Sequence, residues 1–326
     1  MVVYRKKKFI TELVDGESIK DVFVVKIKKG VSPYKDGYMF HMLLSDRTGR
    51  TIDYKYWGGT DEEKIRELYN SIPADGVIYV EGKVGSYSGR LQISSNETDM
   101  LKLLEPEEYD QSDFIMPARR NVNEMYNELL AYVGEVSNPD LRSMLEGIFN
   151  DPDIREKFKT HPAAIEIHHN WVGGLLTHTL EVLKYCLLSY KLFPAMDKDL
   201  LIAGALLHDI GKLDEIEITS RIKGSVKGQL LSHVVIGSIF VYEKCKEYNL
   251  DEELTDKLLH IVISHHGRNE YGSPKEPMTA EAITVYYADE SSSKIAEMVE
   301  FIKTSREDTE DEFMYHRRKQ HNIYLR

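Results

Sequence analysis

This sequence predicts a multidomain chain, a small all-β barrel followed by an all-α domain. Three observations carry that prediction. Between residues 18 and 97, short runs alternate apolar with polar side chains and are separated by turn residues, as half-buried strands are. From residue 122 onward the apolar residues instead recur at three and four, the period of helices that pack by one face. Between the two regimes lies EPEEYDQSDFIMPA at 105–118, acidic, proline-flanked and without a period, which makes it the best domain boundary in the chain. We therefore divide the 326 residues into a barrel at 1–105, a linker at 106–121 and a helical domain at 122–326.

Composition narrows the classes before any motif is read. The chain is 42% apolar and 29% charged, long enough for two cores, and no apolar run approaches the roughly 20 residues that a membrane helix needs. The N-terminus, MVVYRKKKFI, has a basic cluster but neither the apolar core nor the cleavage site of a signal peptide, so a cytoplasmic location without membrane contact is expected. Cys186 and Cys245 lie in partly apolar helical stretches without CxxC spacing and read as reduced structural thiols. The net charge of −12 is uneven: residues 1–60 hold 12 Lys and Arg against 7 Asp and Glu. That asymmetry permits an anionic partner at the N-terminal domain.

In the barrel, Phe23, Val25 and Ile27 form one alternating row. GYMFHMLLSD at 37–46 runs into the turn DRTG at 46–49, and TIDYKYW then carries Ile52, Tyr54 and Tyr56 on one face and Lys55 and Trp57 on the other. A helical piece at 61–72, a strand at 77–84 and a pair of strands around the YSG turn at 87–89 complete the set. Five strands with a helix between the third and fourth is the element order of an OB barrel, another small β-barrel being the alternative. OB folds carry single strands on faces that mix rings with cations, because rings stack on any base while cations follow the phosphates. Lys55, Trp57, Tyr87, Arg90 and Gln92 are the candidates for that face; singly, each reads as a half-buried or solvated strand residue.

In the helical domain, Val122, Met125, Tyr126, Leu129, Leu130 and Val133 make one buried stripe, and further helices are predicted at 139–149, 172–191, 198–208, 229–248, 252–265 and 279–303. The tail, HRRKQHNIYLR, reads as a frayed, solvated end, with His316 and His321 ordinary surface residues.

LIAGALLHDIGKLD at 201–214 ends an apolar helix on the adjacent pair His208 and Asp209. His178, His233, His265, His266 and Asp289 fall on other predicted helices, at successive separations of 30, 24, 32 and 23 or 24 residues, each about one helix and one loop. A single helix histidine is ordinarily a packing or surface residue; this many ionisable groups at repeated positions of one domain point to a metal site. Imidazole with carboxylate suits manganese, iron, zinc or cobalt, and the lack of a nearby thiolate argues for an open catalytic site over a closed structural zinc.

HHNWVGGLLTHT (168–179), AGALLHDIGK (203–212), LLSHVVIG (230–237), SHHG (264–267) with YGSPKEPMTAEA (271–282), and YYAD (286–289) resemble the HD-domain metal-dependent phosphohydrolases. The chain is similar in particular to the YhaM-like 3'-5' exoribonuclease family, in which an N-terminal OB domain precedes the HD domain. The resemblance implies an all-α HD fold in which His178, His208, Asp209 and Asp289 hold one divalent ion and His233, His265 and His266 a second. Manganese is the first expectation, with magnesium, cobalt, iron or zinc as alternatives. One departure stands out: Ser292 replaces an aspartate that the family often carries three residues after the first, which puts an outer support or substrate contact there in doubt.

The reading that follows is a two-metal exonuclease that hydrolyses single-stranded RNA or DNA to 5'-mononucleotides. Asp209, Lys212 and His169 are its catalytic candidates: Lys212 neutralises a phosphate oxygen, while His169 and His168 line the cleft or act as general acid. Arg317, Arg318 and Tyr324 are candidates for contact with substrate or with a neighbouring subunit of a homo-oligomer. Two alternatives belong to other classes: a nucleotide phosphohydrolase or cyclic-nucleotide phosphodiesterase with a regulatory OB domain, and a non-catalytic single-strand-binding protein. Mononucleotide assays separate the first from the exonuclease; strands bound but left intact would identify the second.

Overall fold

The computed structural model describes residues 3–165 and 169–326, apart from the side chain at 308. By its contacts the chain divides into two compact units, Met1–Pro117 with Ile218–Ile222, and Ala118–Glu217 with Lys223–Arg326.

The first unit is an OB-like closed barrel. Its strands are β1 (Ser18–Tyr34), β2 (Gly37–Ser45), β3 (Thr51–Trp57), β4 (Val77–Tyr87), β5 (Arg90–Asn96) and β6 (Leu101–Leu104), with α1 (Glu62–Ser71) between β3 and β4. The sheet order is β1-β2-β3-β5-β4-β6, and a β1–β4 pairing closes the barrel. β3 and β5 run parallel, the other pairs antiparallel. Alternation is obeyed where pairing is regular: Phe40, Met42 and Leu44 of β2 and Ile52, Tyr54 and Tyr56 of β3 point into the core.

The row Phe23, Val25, Ile27 fails at its third member. Phe23 and Val25 are buried, but register shifts between Val25 and Ile27 and between Lys28 and Gly30 bend β1, and Ile27 faces solvent. A bulge inserts one residue and so turns every following side chain to the other face. The same bend lets β1 pair with β4 through its first half and with β2 through its second. Val22 and Val24, outside the barrel, are also buried, covered with Val77 and Leu104 by Phe114, Tyr109 and Tyr4. The Tyr4 amide donates to the Glu108 carbonyl at 2.7 Å and the Lys6 amide to Asp113 at 2.9 Å, so the acidic stretch after β6 lies against the barrel wall.

The second unit is helical: α2 (Val122–Gly134), α3 (Pro139–Asn150), α4 (Pro152–Thr160), α5 (Gly174–Leu192), α6 (Lys198–Leu207), α7 (Lys212–Glu215), α8 (Val226–Glu247), α9 (Glu252–Ser264) and α10 (Ala280–Asp308). Asn121, Asn138, Asp151, Asp197, Ser225, Asp251 and Thr279 cap helix N-termini through their side chains. α6 is the central rod, every residue from Leu200 to Leu207 being buried, and α5, α9 and α10 pack around it. The stripe on α2 is in place: Met125, Tyr126, Leu129 and Val133 are buried, with Val122 and Leu130 packed beside them.

Two hairpins depart from the sequence expectation, β7 (Ile216–Ile218) with β8 (Ile222–Gly224), and β9 (Phe313–His316) with β10 (His321–Tyr324). The second corrects the frayed tail. Ile323 and Leu325 are buried, His316 is buried with Nε2 3.7 Å from Glu297, and Lys319 meets the same carboxylate at 3.1 Å. An apolar residue at every second position anchors what composition alone presents as a basic end. Cys186 and Cys245 are free and buried. Among the described residues no helix is long and apolar enough to cross a membrane.

Candidate metal centre

Five helices bring the histidines and carboxylates together. His178 lies in the second turn of α5, His208 and Asp209 follow the last residue of α6, His265 and His266 follow α9, and Asp289 lies within α10. His233 sits just beyond a break in α8 at Ser232, whose φ of 62° and ψ of 158° are not helical. Holding a non-glycine residue there costs about 1–3 kcal/mol, so the surrounding structure must enforce it. Glu215 is the enforcing group: one oxygen accepts the His233 amide at 2.8 Å, and the other lies 2.8 Å from His233 Nδ1.

Asp209 is the centre of the arrangement. Its Oδ2 faces His178 Nε2 at 3.3 Å and His208 Nε2 at 3.4 Å, while its Oδ1 faces His233 Nε2 and His265 Nε2, each at 3.6 Å. Asp289 Oδ1 lies 3.1 Å from His178 Nε2, and His266 Nε2 lies 3.3 Å from His233 Nε2. Two groups result, His178, His208 and Asp209, and His233, His265 and His266, each with ligand atoms within 4.8 Å of one another. Asp209 Oδ1 and His265 Nε2 are buried yet make no hydrogen bond. Buried polar atoms are left so at a cost of about 1–3 kcal/mol, and two of them facing each other across 3.6 Å fit an ion as their missing partner. Either group could hold a divalent ion.

The outward ring nitrogens are engaged as well. His208 Nδ1 bonds the Ala205 carbonyl at 2.8 Å, His265 Nδ1 the Val262 carbonyl at 2.6 Å and His266 Nδ1 the Tyr271 carbonyl at 2.9 Å. His178 Nδ1 bonds the Ser292 hydroxyl at 3.0 Å. The carbonyl partners of His208, His265 and His266 place the proton on Nδ1 and aim the Nε2 lone pair inward. Ser292 thus does supply outer support, by a hydroxyl.

Burial pushes His265 down and His266 down to about 4, which keeps both rings neutral and able to donate a lone pair. Asp209 is held well below the usual carboxylate range: burial opposes this, but Lys212 and His208 outweigh it. His178 behaves oppositely, since burial would lower it but hydrogen bonds to Asp209 and Asp289 raise it to about 9. At neutral pH the metal-free His178 is therefore an imidazolium, and an ion entering its group must displace that proton. Calorimetric titration of manganese near pH 7.5, in two buffers of different ionisation enthalpy, should show about one proton released by that group, with affinity rising as pH approaches 9. Buffer-independent heats would contradict this.

A cavity of about 750 Å³ opens beside the groups, lined by Lys212, His233, His266, Tyr271 and Asp289 on one side and by Ala163, Ile165 and Ile216 among others. Lys212 Nζ binds Asp209 Oδ2 at 2.7 Å while lining this cavity. His169 is placed differently from the cleft-lining role expected of it. It is buried behind His178, with Nε2 3.0 Å from Glu181, and lines a second cavity with Trp171, Glu181 and Ser292. His168 lies outside the described residues.

In the barrel, register places Lys55 opposite His41 and Ser94, Trp57 opposite Met39 and Asn96, and Gln92 opposite Asp53 and Gly85. Residues opposite one another or two apart share a face, so Lys55, Trp57, Gln92, Arg90 and Tyr87 all lie on the outer surface. Lys55 Nζ stands 4.8 Å from the Tyr87 ring centre, and Trp57 packs edge-on against Tyr34 at 4.9 Å. The same face carries an acid, Asp53, bound by Lys29 at 2.7 Å and His41 at 2.6 Å. Arg317 and Arg318 are exposed on the turn of the C-terminal hairpin. The sequence reading missed Glu181 and Glu215; an acid one turn after His178, or one turn after Lys212, was the available signal.

Residues 175–293 match the family model of the HD domain. An HD domain suggests a metal-dependent phosphohydrolase, in keeping with the two groups, both within the matched span. Among solved structures the chain is similar to the HD domain of the L. monocytogenes phosphodiesterase PgpH, with 17% identity over 49% of this chain and 84% of that one and a TM-score of 0.31. It is also similar to a murine DNA-binding protein bound to double-stranded DNA (14% identity, 31% of this chain, 49% of that one, TM-score 0.23). A third likeness is to the S. pombe Stn1–Ten1 complex (15% identity, 28% and 60%, TM-score 0.21). The chain thus spans about half the length of the murine structure it matches.

Proposed function

We propose that the protein is a metal-dependent 3'-5' exonuclease of the YhaM-like kind, hydrolysing single-stranded RNA, and single-stranded DNA by the same chemistry, to 5'-mononucleotides. The observation that carries this reading is the shared carboxylate: Asp209 presents one oxygen to His178 and His208 and the other to His233 and His265. In this reading His178, His208, Asp209 and Asp289 would hold one ion and His233, His265 and His266, with the other oxygen of Asp209, would hold another. Divalent ions there would supply Lewis-acid activation of water and neutralisation of charge at phosphorus, manganese being the first to test.

The protein's own residues do the rest. Lys212, in the cavity wall, offers its charge to a non-bridging phosphoryl oxygen as the pentavalent state forms. Water adds at phosphorus and gives up a proton to solvent, the bond to the 3' oxygen of the preceding nucleotide breaks and that oxygen takes a proton from solvent, and the released nucleotide keeps its 5' phosphate. The apolar wall formed by Ala163, Ile165 and Ile216 gives the sugar or base a dry surface. His169, turned toward Glu181, is assigned no proton transfer. The barrel supports the strand part of the reading through its outer face, where Tyr87 and Trp57 offer rings and Lys55 and Arg90 offer charge.

The test is a digestion panel: 3'-labelled and 5'-labelled single- and double-stranded RNA and DNA, with nucleoside triphosphates and cyclic nucleotides alongside, in manganese, magnesium, cobalt and zinc. Immediate release of the 3' label as mononucleotide, with a 5'-labelled ladder shortening stepwise, is the expected result. Hydrolysis of mononucleotides alone would overturn it in favour of a nucleotide phosphohydrolase.

A further inference from the structure

We infer that Glu181 is a positioning residue for the metal centre, acting on His178 through Ser292. The inference rests on the reading of His178 as a metal ligand. Glu181 lies one turn beyond His178 on α5, and its Oε2 accepts the Ser292 hydroxyl at 2.7 Å. Ser292 Oγ lies 3.0 Å from His178 Nδ1, and the same Glu181 oxygen lies 3.0 Å from His169 Nε2.

The reason for a third member lies in what each outer partner can do. His208, His265 and His266 bond backbone carbonyls, which can only accept. Each fixes its ring by itself. Ser292 cannot, because a hydroxyl donates or accepts with equal ease. Were it to donate to His178, the ring proton would sit on Nε2, where a ligand needs a lone pair, and the Glu181 carboxylate would face a bare oxygen at 2.7 Å. A carboxylate at that distance forces the hydroxyl proton toward itself. The remaining Oγ lone pair then accepts from His178 Nδ1, so that the proton an entering ion displaces is the one on Nε2, which faces Asp209 and Asp289. Glu181 thus sets the sense of the whole chain of bonds, and by taking His169 Nε2 as a second donor it also holds that ring behind His178.

The test is calorimetric titration of the metal-free 326-residue chain with manganese, where wild type should show binding at both groups. Glu181→Gln and Ser292→Ala are each expected to weaken the His178 group by ~10–100-fold, as loss of an outer partner does, while the His233 group keeps its affinity and certifies the fold. Glu181→Gln added to Ser292→Ala should cost nothing further. Ser292→Asp places an acceptor-only group beside His178 Nδ1, so Glu181→Gln should have no effect in that background. A Glu181→Gln protein that binds as wild type, or one that loses the same affinity with Ser292→Asp present, overturns the relay. Wild type that binds no manganese overturns the metal-site reading and the relay with it; strands left intact by a protein that binds manganese at both groups overturn only the nuclease reading.

Discussion

Asp209→Ala is expected to abolish manganese binding at both groups and to lower strand hydrolysis by ~10³-fold or more, equivalent to about 4 kcal/mol of lost transition-state stabilisation. Among the described residues no other side chain in the centre should have so large an effect, because Asp209 faces both groups, Oδ2 toward His178 and His208 and Oδ1 toward His233 and His265. On the proposed assignment, replacing one of the histidines would remove a ligand from one ion's set, whereas removing Asp209 would take one from each. The carboxylate also neutralises Lys212, whose Nζ lies 2.7 Å away with a side chain only 12% exposed. Removing one partner of a buried pair leaves an uncompensated charge and costs about 3–5 kcal/mol, so the alanine variant should also melt lower. Asp209→Asn separates the two effects. It keeps the shape and one oxygen, so the fold should survive, yet an amide cannot serve two cations and its nitrogen faces one group with no lone pair. Manganese titration beside single-turnover hydrolysis of a 3'-labelled strand measures both. Two intact binding events in the asparagine variant would remove Asp209 from its shared role.

The residues around Asp209 are legible in the sequence because the site is written in side chains. Histidines and aspartates at helix-and-loop separations, with HD followed by IGK, mark candidates for one site although each histidine alone reads as a packing or surface residue, and the helices that carry them lie close to where the period places them. The outer partners have no signature of their own. Those of His208, His265 and His266 are backbone carbonyls, present in every residue, and Glu181 is one acid among many until α10 sets Ser292 between it and His178. In the barrel the period-two pattern identifies the inward faces of β2 and β3 but misplaces Ile27, since a bulge is a pairing event between strands and leaves the alternation of one strand unmarked. The tail misleads by composition: its many charges hide the alternation that buries Ile323 and Leu325.

Gly211→Ala should destabilise the helical unit by about 1–3 kcal/mol and abolish manganese binding at the His233 group while sparing the His178 group. The position asks for no special backbone, since its φ of −64° suits any residue. The demand is one of space. A Cβ there would stand 2.1 Å from the His233 carbonyl oxygen and 2.7 Å from the Gly237 amide nitrogen, both backbone atoms that no rotamer change can move aside. α8 would have to retreat by roughly an ångström to restore ordinary contact, and overpacking of this kind costs about 1–3 kcal/mol, occasionally more. Its retreat carries His233 away from Asp209 and strains the Glu215 bonds that hold the Ser232 break, whereas His178 and His208 hang on α5 and α6. The neighbouring Gly237→Ala is the control, because its Cβ would meet nothing nearer than 3.3 Å and a few tenths of an ångström suffice. Urea unfolding followed by manganese titration should therefore rank the two variants far apart, with one binding event lost in the first and both kept in the second. Equal midpoints and equal stoichiometry would mean that α8 can move without His233, and that the glycine after the HD pair serves something other than the approach of this helix.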